Sequence, residues 1–373
     1  MKKIVFYACD MAILKYLCKM YCKIVFGMKN NVINLIKQMC LIGVCVLCAA
    51  CNGDTLLPNA SGAANEVLVV MDDADWRTDG GRALFDVLTT DVPALPQAEP
   101  MFDISRVPHS QFDQLLRPTR NIVMVYVDSA KYTKATLRLT RNKWSRTQAV
   151  AVITTDNAEH LAQLLQRRQR MLIDFFVDAE RERQIDYLKH NINTTALQKA
   201  YDKFNVKIAV PSSLNKYNES DDFLWISNGS GTARQDIVIY SYPYTDQRQL
   251  TREALIAKRD SILCQHIPGA FEGSCMGTAV AYEPPTLEAI WVDSAYCAQM
   301  RGLWEMKNGE TMGGPFISHT RLDELHNRLI TIEGFVFAPG RDKRNLLRQV
   351  EAMVYSVQMP QDAMAVTVVA PRP

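Results

Sequence analysis

Alternating strand and helix patterns in the first half, a succession of strand patterns in the second, and one unusually long amphipathic stretch near 158–189 predict an α+β fold with mixed sheets and packed helices. The folded body is expected to comprise a first, α/β-like half over 65–212 and a strand-rich α+β half over 213–373, and the two could form one domain.

Order is expected to begin at Glu66–Met71, a continuous apolar run that suits a buried strand. Trp76–Thr90 follows as a helix, with Ala83, Leu84, Val87 and Leu88 on one face. The Pro-rich connection Pro93–Pro100 leads to a strand at Phe102–Val107, a short helix at Ser110–Leu116 and a strand at Asn121–Asp128. After a strand at Ala149–Thr154, Asp156 is placed to cap the long helix Ala158–Lys189, where Leu161, Leu164, Leu165, Leu172, Phe175, Phe176 and Ala179 recur at helical spacing. Strands are expected at Val206–Val210, Phe223–Ser227, Ile237–Tyr242, Leu287–Val292, Gln299–Met306, Phe316–Leu322 and Arg328–Ala338. Helices Gln247–Leu263 and Arg341–Val357 interrupt them.

The start of the chain carries targeting information. Residues 39–50 are an uncharged, mostly apolar run behind Lys29 and Lys37, shorter than the roughly 20 residues a membrane span needs. Ala49 and Ala50 directly before Cys51 suit a lipoprotein signal peptidase, so 28–50 reads as a signal peptide and Cys51 as the acylated residue, carrying palmitate-type chains. Leu47 stands one place early for a regular lipobox, and a plain secretory signal or an uncleaved anchor is the alternative. Met28 begins a conventional signal by itself, so 1–27 reads as an extension from a start codon set too early, or as a helical extension with its own role. Residues 51–64 are small, polar and turn-forming, as a tether between lipid and body would be.

The first fifty residues hold seven lysines and one acid, which leaves 35 basic and 39 acidic residues and a net charge of −4 on the remainder. That balance gives no electrostatic case for nucleic acid. Seven of the ten cysteines lie at or before Cys51, leaving Cys264, Cys275 and Cys297 in the body. Cys264 and Cys275 could pair around the Pro268-Gly269 turn in an oxidising compartment, or all three could be buried thiols.

Motifs for chemistry are sparse. No H-E-x-x-H and no cysteine pair at ligand spacing occur, so no metal or other cofactor is expected. His319 and His326, with Asp323 and Glu324 between them, are the one local histidine cluster and fall in an expected hairpin connection. Ser213-Leu214-Asn215-Lys216 spells S-x-x-K without its partner motifs, and Gly229-Ser230-Gly231-Thr232 lacks a following Walker lysine and suits a turn. Arg167-Arg168-Gln169-Arg170 reads as a solvated helix face, with an anion-binding patch as the alternative. Arg301 and Trp304 beside the loop Met312-Gly313-Gly314-Pro315 form the best candidate ligand surface, made of Arg301, Trp304, Gly313 and Gly314; core packing of a hairpin explains the same residues. Asp precedes Thr55, Ser129, Ser261 and Ser294, each followed by an aliphatic or small residue, and these four match the O-glycosylation sequon of Bacteroidetes. Thr55, in the tether, is the most accessible of them.

Several motifs then occur in a familiar order: Gly80-Gly81-Arg82-Ala83-Leu84-Phe85-Asp86-Val87-Leu88, Asp91-Val92-Pro93-Ala94-Leu95-Pro96-Gln97, Arg120-Asn121-Ile122-Val123, Tyr240-Ser241-Tyr242-Pro243-Tyr244-Thr245 and Lys258-Arg259-Asp260-Ser261. Arg301-Gly302-Leu303-Trp304-Glu305, Met312-Gly313-Gly314-Pro315-Phe316 and Glu333-Gly334-Phe335-Val336-Phe337-Ala338-Pro339 complete the series. Over nearly all of 56–360 the chain resembles the DUF4837 family of Bacteroidetes lipoproteins, a domain of unknown function. The resemblance brings no activity and no assigned site residues. The expected product is a lipid-anchored envelope protein, more at the outer than the inner membrane and on its periplasmic face, acting as a ligand-binding or assembly module. An envelope hydrolase of glycan or peptide is one alternative and would show titratable residues converging in a cleft. A structural scaffold is another, and would show an exposed apolar patch without a pocket.

Overall fold

Apolar, β-branched runs make Glu66–Val70 (β1), Asn121–Val127 (β3) and Ala149–Thr155 (β5) suited to strands covered on both faces. In the computed structural model, which describes residues 57–359 apart from 310, they are the centre of a five-stranded sheet in the order β2-β1-β3-β5-β4. Asp103–Val107 (β2) and Thr136–Arg141 (β4) are its edges, and only β4 runs antiparallel to its neighbour. Val67, Val69, Val123, Val125, Ala151 and Ile153 face the helices Asp79–Leu88 (α2) and Ala158–His190 (α3); a single turn, Asp73–Trp76 (α1), precedes them. The opposite face, with Leu68, Val70, Ile122 and Met124, is covered by Phe112, Leu116 and Trp144 from connecting segments.

The second sheet is antiparallel, in the order β10-β11-β12-β13-β8-β7-β6, with Cys275–Thr278 (β9) also paired to β11. Its long central strands are Arg234–Pro243 (β8), Ala295–Lys307 (β11), Gly313–Asp323 (β12) and Arg328–Phe337 (β13). Shorter strands are Lys216–Ser220 (β6), Phe223–Ser227 (β7) and Thr286–Val292 (β10). Ile237, Ile239, Ile330, Ile332 and Val336 point to one face, under the helices Thr194–Phe204 (α4) and Arg344–Tyr355 (α6). Val238, Tyr240, Phe335 and Trp304 point to the other, under Arg252–His266 (α5).

The described residues from Pro58 to 359 form one compact unit, and α3 is what joins its two sheets. At 33 residues it is about 50 Å long. Leu161 to Ala179 belong to the core of the first sheet, whereas Leu188 belongs to that of the second. A second tie is electrostatic. The cap residue of α6, Lys343, offers no side-chain cap of its own; instead Glu99, from the Pro-rich connection, accepts from the backbone N–H groups of Lys343 and Arg344 at 2.8 Å each. That carboxylate satisfies donors a helix start leaves free and complements its dipole. Arg344 also pairs with Asp103 of β2 at 2.6 Å.

Several local expectations are corrected. Ser110–Leu116 is not a helix: one 3-10 turn covers His109–Gln111, and the Asp113 side chain accepts from the backbone of Leu115 and Leu116, a local arrangement that competes with helix. Val206, Ile208, Ala209 and Val210 are buried, but 206–210 forms no strand beyond a bridge from Lys207 to Gln358, since its apolar residues report burial and not a ladder. The cap of α3 is Asn157, which accepts from the His160 N–H, while the Asp156 carboxylate turns to His160 Nδ1 at 2.7 Å. Helix α4 and strands β4, β6 and β9 lie where no element was expected. Cys264 and Cys275 are joined in a disulfide, and Cys297 is a buried thiol.

Candidate functional site

The cavity that both halves build begins on α3. Gln166, Arg170, Ile173, Val177 and Arg181 follow one another at three- and four-residue intervals, so they share a stripe of the helix. That stripe looks across a cavity of about 690 Å³ toward β10, β11 and α6. Thr286 and Glu288 of β10 pair with Arg301 and Gln299 of β11, which puts all four on the cavity face of the sheet. Arg348, Glu351 and Tyr355 complete the wall from successive turns of α6.

Glu351 is the centre of the site. Its Oε1 accepts from Arg181 Nη1 at 3.2 Å and Arg301 Nη2 at 2.7 Å, and its Oε2 accepts from Arg348 Nη1 at 3.0 Å. Burial alone would raise this carboxyl, but Arg301, Arg348 and Arg181 together hold it far below the ordinary carboxylate range. It is therefore a fixed anion with no proton to give. Arg181 also pairs with Asp178 and lies over the Tyr355 ring, 3.8 Å from its centre. The Tyr355 hydroxyl donates to Gln299 Oε1 at 2.7 Å, and His319 Nε2 reaches the same oxygen at 3.2 Å. Burial, with Arg301 facing it, pushes His319 down to about 3, so the ring is neutral. At the mouth Arg170 lies 3.5 Å from Asp174 and 3.6 Å from Glu288. Arg167 lines the cavity beside it, exposed and without an ion-pair partner among the described residues.

The structure separates the residues of the expected ligand surface. Arg301 lines the cavity, whereas Trp304 is 1% exposed on the opposite face of the sheet and donates from Nε1 to the Val336 carbonyl at 3.1 Å. Three residues along a strand place two side chains on opposite faces. Gly314 belongs to the same packing, because a Cβ there would stand 2.1 Å from the Val336 carbonyl oxygen; one on Gly313 would stand 2.7 Å from that of Trp304. Those glycines let strands close up, and neither lines the cavity. Arg167 and Arg170, read as a solvated face, turn to the cavity. His319 is not in a hairpin connection but inside β12, buried, while His326 lies in the turn beyond it and bonds Asp323. Among the described residues no group of ligating side chains could hold a metal.

Ser129, Ser261 and Ser294 are all exposed, although each lies in or near a strand or a helix. Ser294 shares with Asp293 the two-residue turn joining β10 to β11, where both have positive φ, 65° and 49°. Cys51, Thr55, the signal segment 28–50 and the extension 1–27 lie outside the described residues. Glu351, Arg348 and Arg181 were not singled out from the sequence. One signal was there: Leu347, Val350, Glu351 and Val354 share the apolar stripe of α6, so a carboxylate occupies a core position.

No curated protein matches the chain. Among solved structures, the Ran-binding protein Mog1p of Saccharomyces cerevisiae is similar at 10% identity and a TM-score of 0.29, over 41% of this chain and 89% of that one. A Mog1 point mutant (12%, TM-score 0.26) aligns over 41% and 90%. A protein of Bacteroides thetaiotaomicron (12%, TM-score 0.22) aligns over 41% and 44%. Likenesses at those scores transfer neither fold nor function. A family model for DUF8532, a domain of unknown function, matches 60–189, so the motifs at Gly80–Leu88 and Arg120–Val123 fall in that segment and not in the DUF4837 one. The boundary between the two matches falls at the end of α3, and the cavity draws its walls from both sides of it. Residues 193–356 match the family model of DUF4837, a domain of unknown function, which supports the resemblance carried by the motifs in that part of the chain.

Proposed function

We propose that this chain is a ligand-binding module of the cell envelope, held by a lipid on Cys51, whose ligand occupies the cavity between α3 and the second sheet. The observation that carries the binding half of this reading is the cavity itself. Its volume of about 690 Å³ is in the range of small-molecule sites, and charged side chains converge in it from elements far apart in sequence. The envelope half rests on residues 28–51, whose basic start, short apolar run and Ala49-Ala50-Cys51 ending support lipoprotein processing. By its residue after the cysteine, Asn52, the protein would sit in the outer membrane, on the periplasmic leaflet; a Bacteroidetes source is consistent with the four Asp-Ser/Thr sequons.

Convergence of titratable groups is also what a hydrolase would require, whereas a simple binding module would present an apolar or aromatic groove. The protonation states favour binding over catalysis. Glu351 is held ionised by its arginines, and His319 is neutral, buried and bonded to Gln299. Neither is poised near neutral pH, as a general acid or base should be.

Native mass spectrometry of full-length protein drawn from its own membranes tests both halves. The expected mass is that of a chain starting at triacylated Cys51, with a non-covalent small molecule that the cavity-filling Val177→Trp variant lacks. A chain without acyl mass overturns the anchor. A wild-type protein carrying no molecule, or one that Val177→Trp retains, overturns the cavity as the binding place.

A further inference from the structure

Five arginines line the cavity against four carboxylates. The excess is not spread evenly. Both oxygens of Glu351 are taken, Oε1 by two guanidinium groups and Oε2 by a third. Arg181 has Asp178 as a further partner, and Arg348 reaches the Met101 sulfur with Nη2. Arg301 is different. Among the described residues its one hydrogen bond is Nη2 to Glu351, which leaves the rest of a five-donor fork without an acceptor there. Its side chain keeps 17% of its surface accessible, and that surface belongs to the cavity lining. Arg167 stands at the rim without an ion pair among the described residues.

We infer that Arg301, backed by Arg348 and helped at the rim by Arg167, receives an oxyanion of the ligand, a carboxylate or a phosphate. The inference rests on the cavity being the binding place. A planar guanidinium presents parallel N–H donors that match both groups, and a charge-assisted pair of this kind is stronger in a partly dehydrated cavity than in water. Glu351 is essential to this arrangement. It gathers three cations that would otherwise repel one another, and even with Asp178 beside Arg181 the three face only two carboxylates, which leaves the floor electropositive. Thr286, directly across the strand pair from Arg301, lines the same cavity and adds a hydroxyl. A neutral ligand would leave the unused donors of Arg301 unpaired, and a cationic one would meet them head on.

Calorimetric titration of the full-length protein in detergent with inorganic phosphate, succinate and neutral succinamide is the test. At least one of the two anions is expected to give saturable heat, weakened about tenfold or more in Arg301→Gln. Arg301→Lys, which keeps the charge and loses the fork, should recover only part of that loss. Saturation by phosphate alone identifies the ligand group as phosphate, and by succinate alone as carboxylate. Succinamide binding while both anions stay silent overturns the inference and leaves the cavity reading standing. Silence from all three, or anion binding unchanged in both variants, overturns the inference as well; the mass measurement above decides the cavity reading separately.

Discussion

The two faces of the eight-stranded sheet each bury arginine against a glutamate, and they do it differently. Under α5, Arg259 meets Glu333 fork to fork, at 2.8 and 2.7 Å, and gives its third nitrogen to Thr278 at 2.8 Å. Its guanidinium lies 4.0 Å from the centre of the Phe316 ring, and the group is sealed. Under α6, three arginines share Glu351 and one of them keeps donors open to a cavity. The carboxyls respond in opposite directions. Burial leaves that of Glu333 above its ordinary range even with Arg259 opposing, whereas burial at Glu351 is outweighed by three cations. One pair is complete within the protein; the other cluster has an excess that something outside can satisfy. Buried charge alone therefore does not mark a site, but unbalanced buried charge beside open volume does.

Breaking the complete pair should have the largest effect. Arg259→Met strands an ionisable carboxyl in an apolar layer and should cost about 3–5 kcal/mol in denaturant unfolding. Adding Glu333→Leu should return most of that, because an apolar pair of similar volume can replace a buried ion pair. Glu351→Gln should cost less, about 2–3 kcal/mol, because water and anions in the cavity can reach the guanidinium groups that line it. A smaller, pH-dependent effect comes from His319. The unfolded chain takes up a proton near 6.5 and the folded one only at about 3, so stability is complete above the first value and falls as pH drops toward the second. Unfolding followed between those values should show a slope that His319→Asn flattens, and an unchanged slope would place the titrating group elsewhere. Glu351 adds loss in the same sense below the ordinary carboxyl range, since its folded value is depressed. Arg301→Gln should move stability by less than about 1 kcal/mol, because it removes a cation from an excess of cations.

Much of this architecture could be read in advance, and the reasons differ by region. Phe223–Ser227 and the long strands of the second sheet were visible because continuous apolar runs bounded by turns leave few other structures. Helix α3 was visible because its leucines keep helical spacing over many turns. Helix α4 was hidden by its short length and its β-branched start at Thr194 and Thr195. The cavity was only partly legible. Arg301 and the Arg167–Arg170 run drew attention as unusual residues, but what makes them a site is Glu351, some fifty positions beyond Arg301, delivered by packing α6 across the sheet. Spacing along a chain carries no record of such an encounter. Trp304 misled for the complementary reason, since a tryptophan between glycines looks the same whether a ligand or the Val336 carbonyl receives its N–H.

The contrast between the two clusters is tested most directly by thermal unfolding of the full-length Glu351→Gln and Glu333→Gln variants, each with and without phosphate or succinate at constant ionic strength. Added anion should restore much of the lost stability to Glu351→Gln, where it can take the place of the missing carboxylate, and none to the sealed Glu333→Gln. Equal responses in the two variants, or none in either, would contradict the claim that only the cavity cluster has room and charge for an external oxyanion.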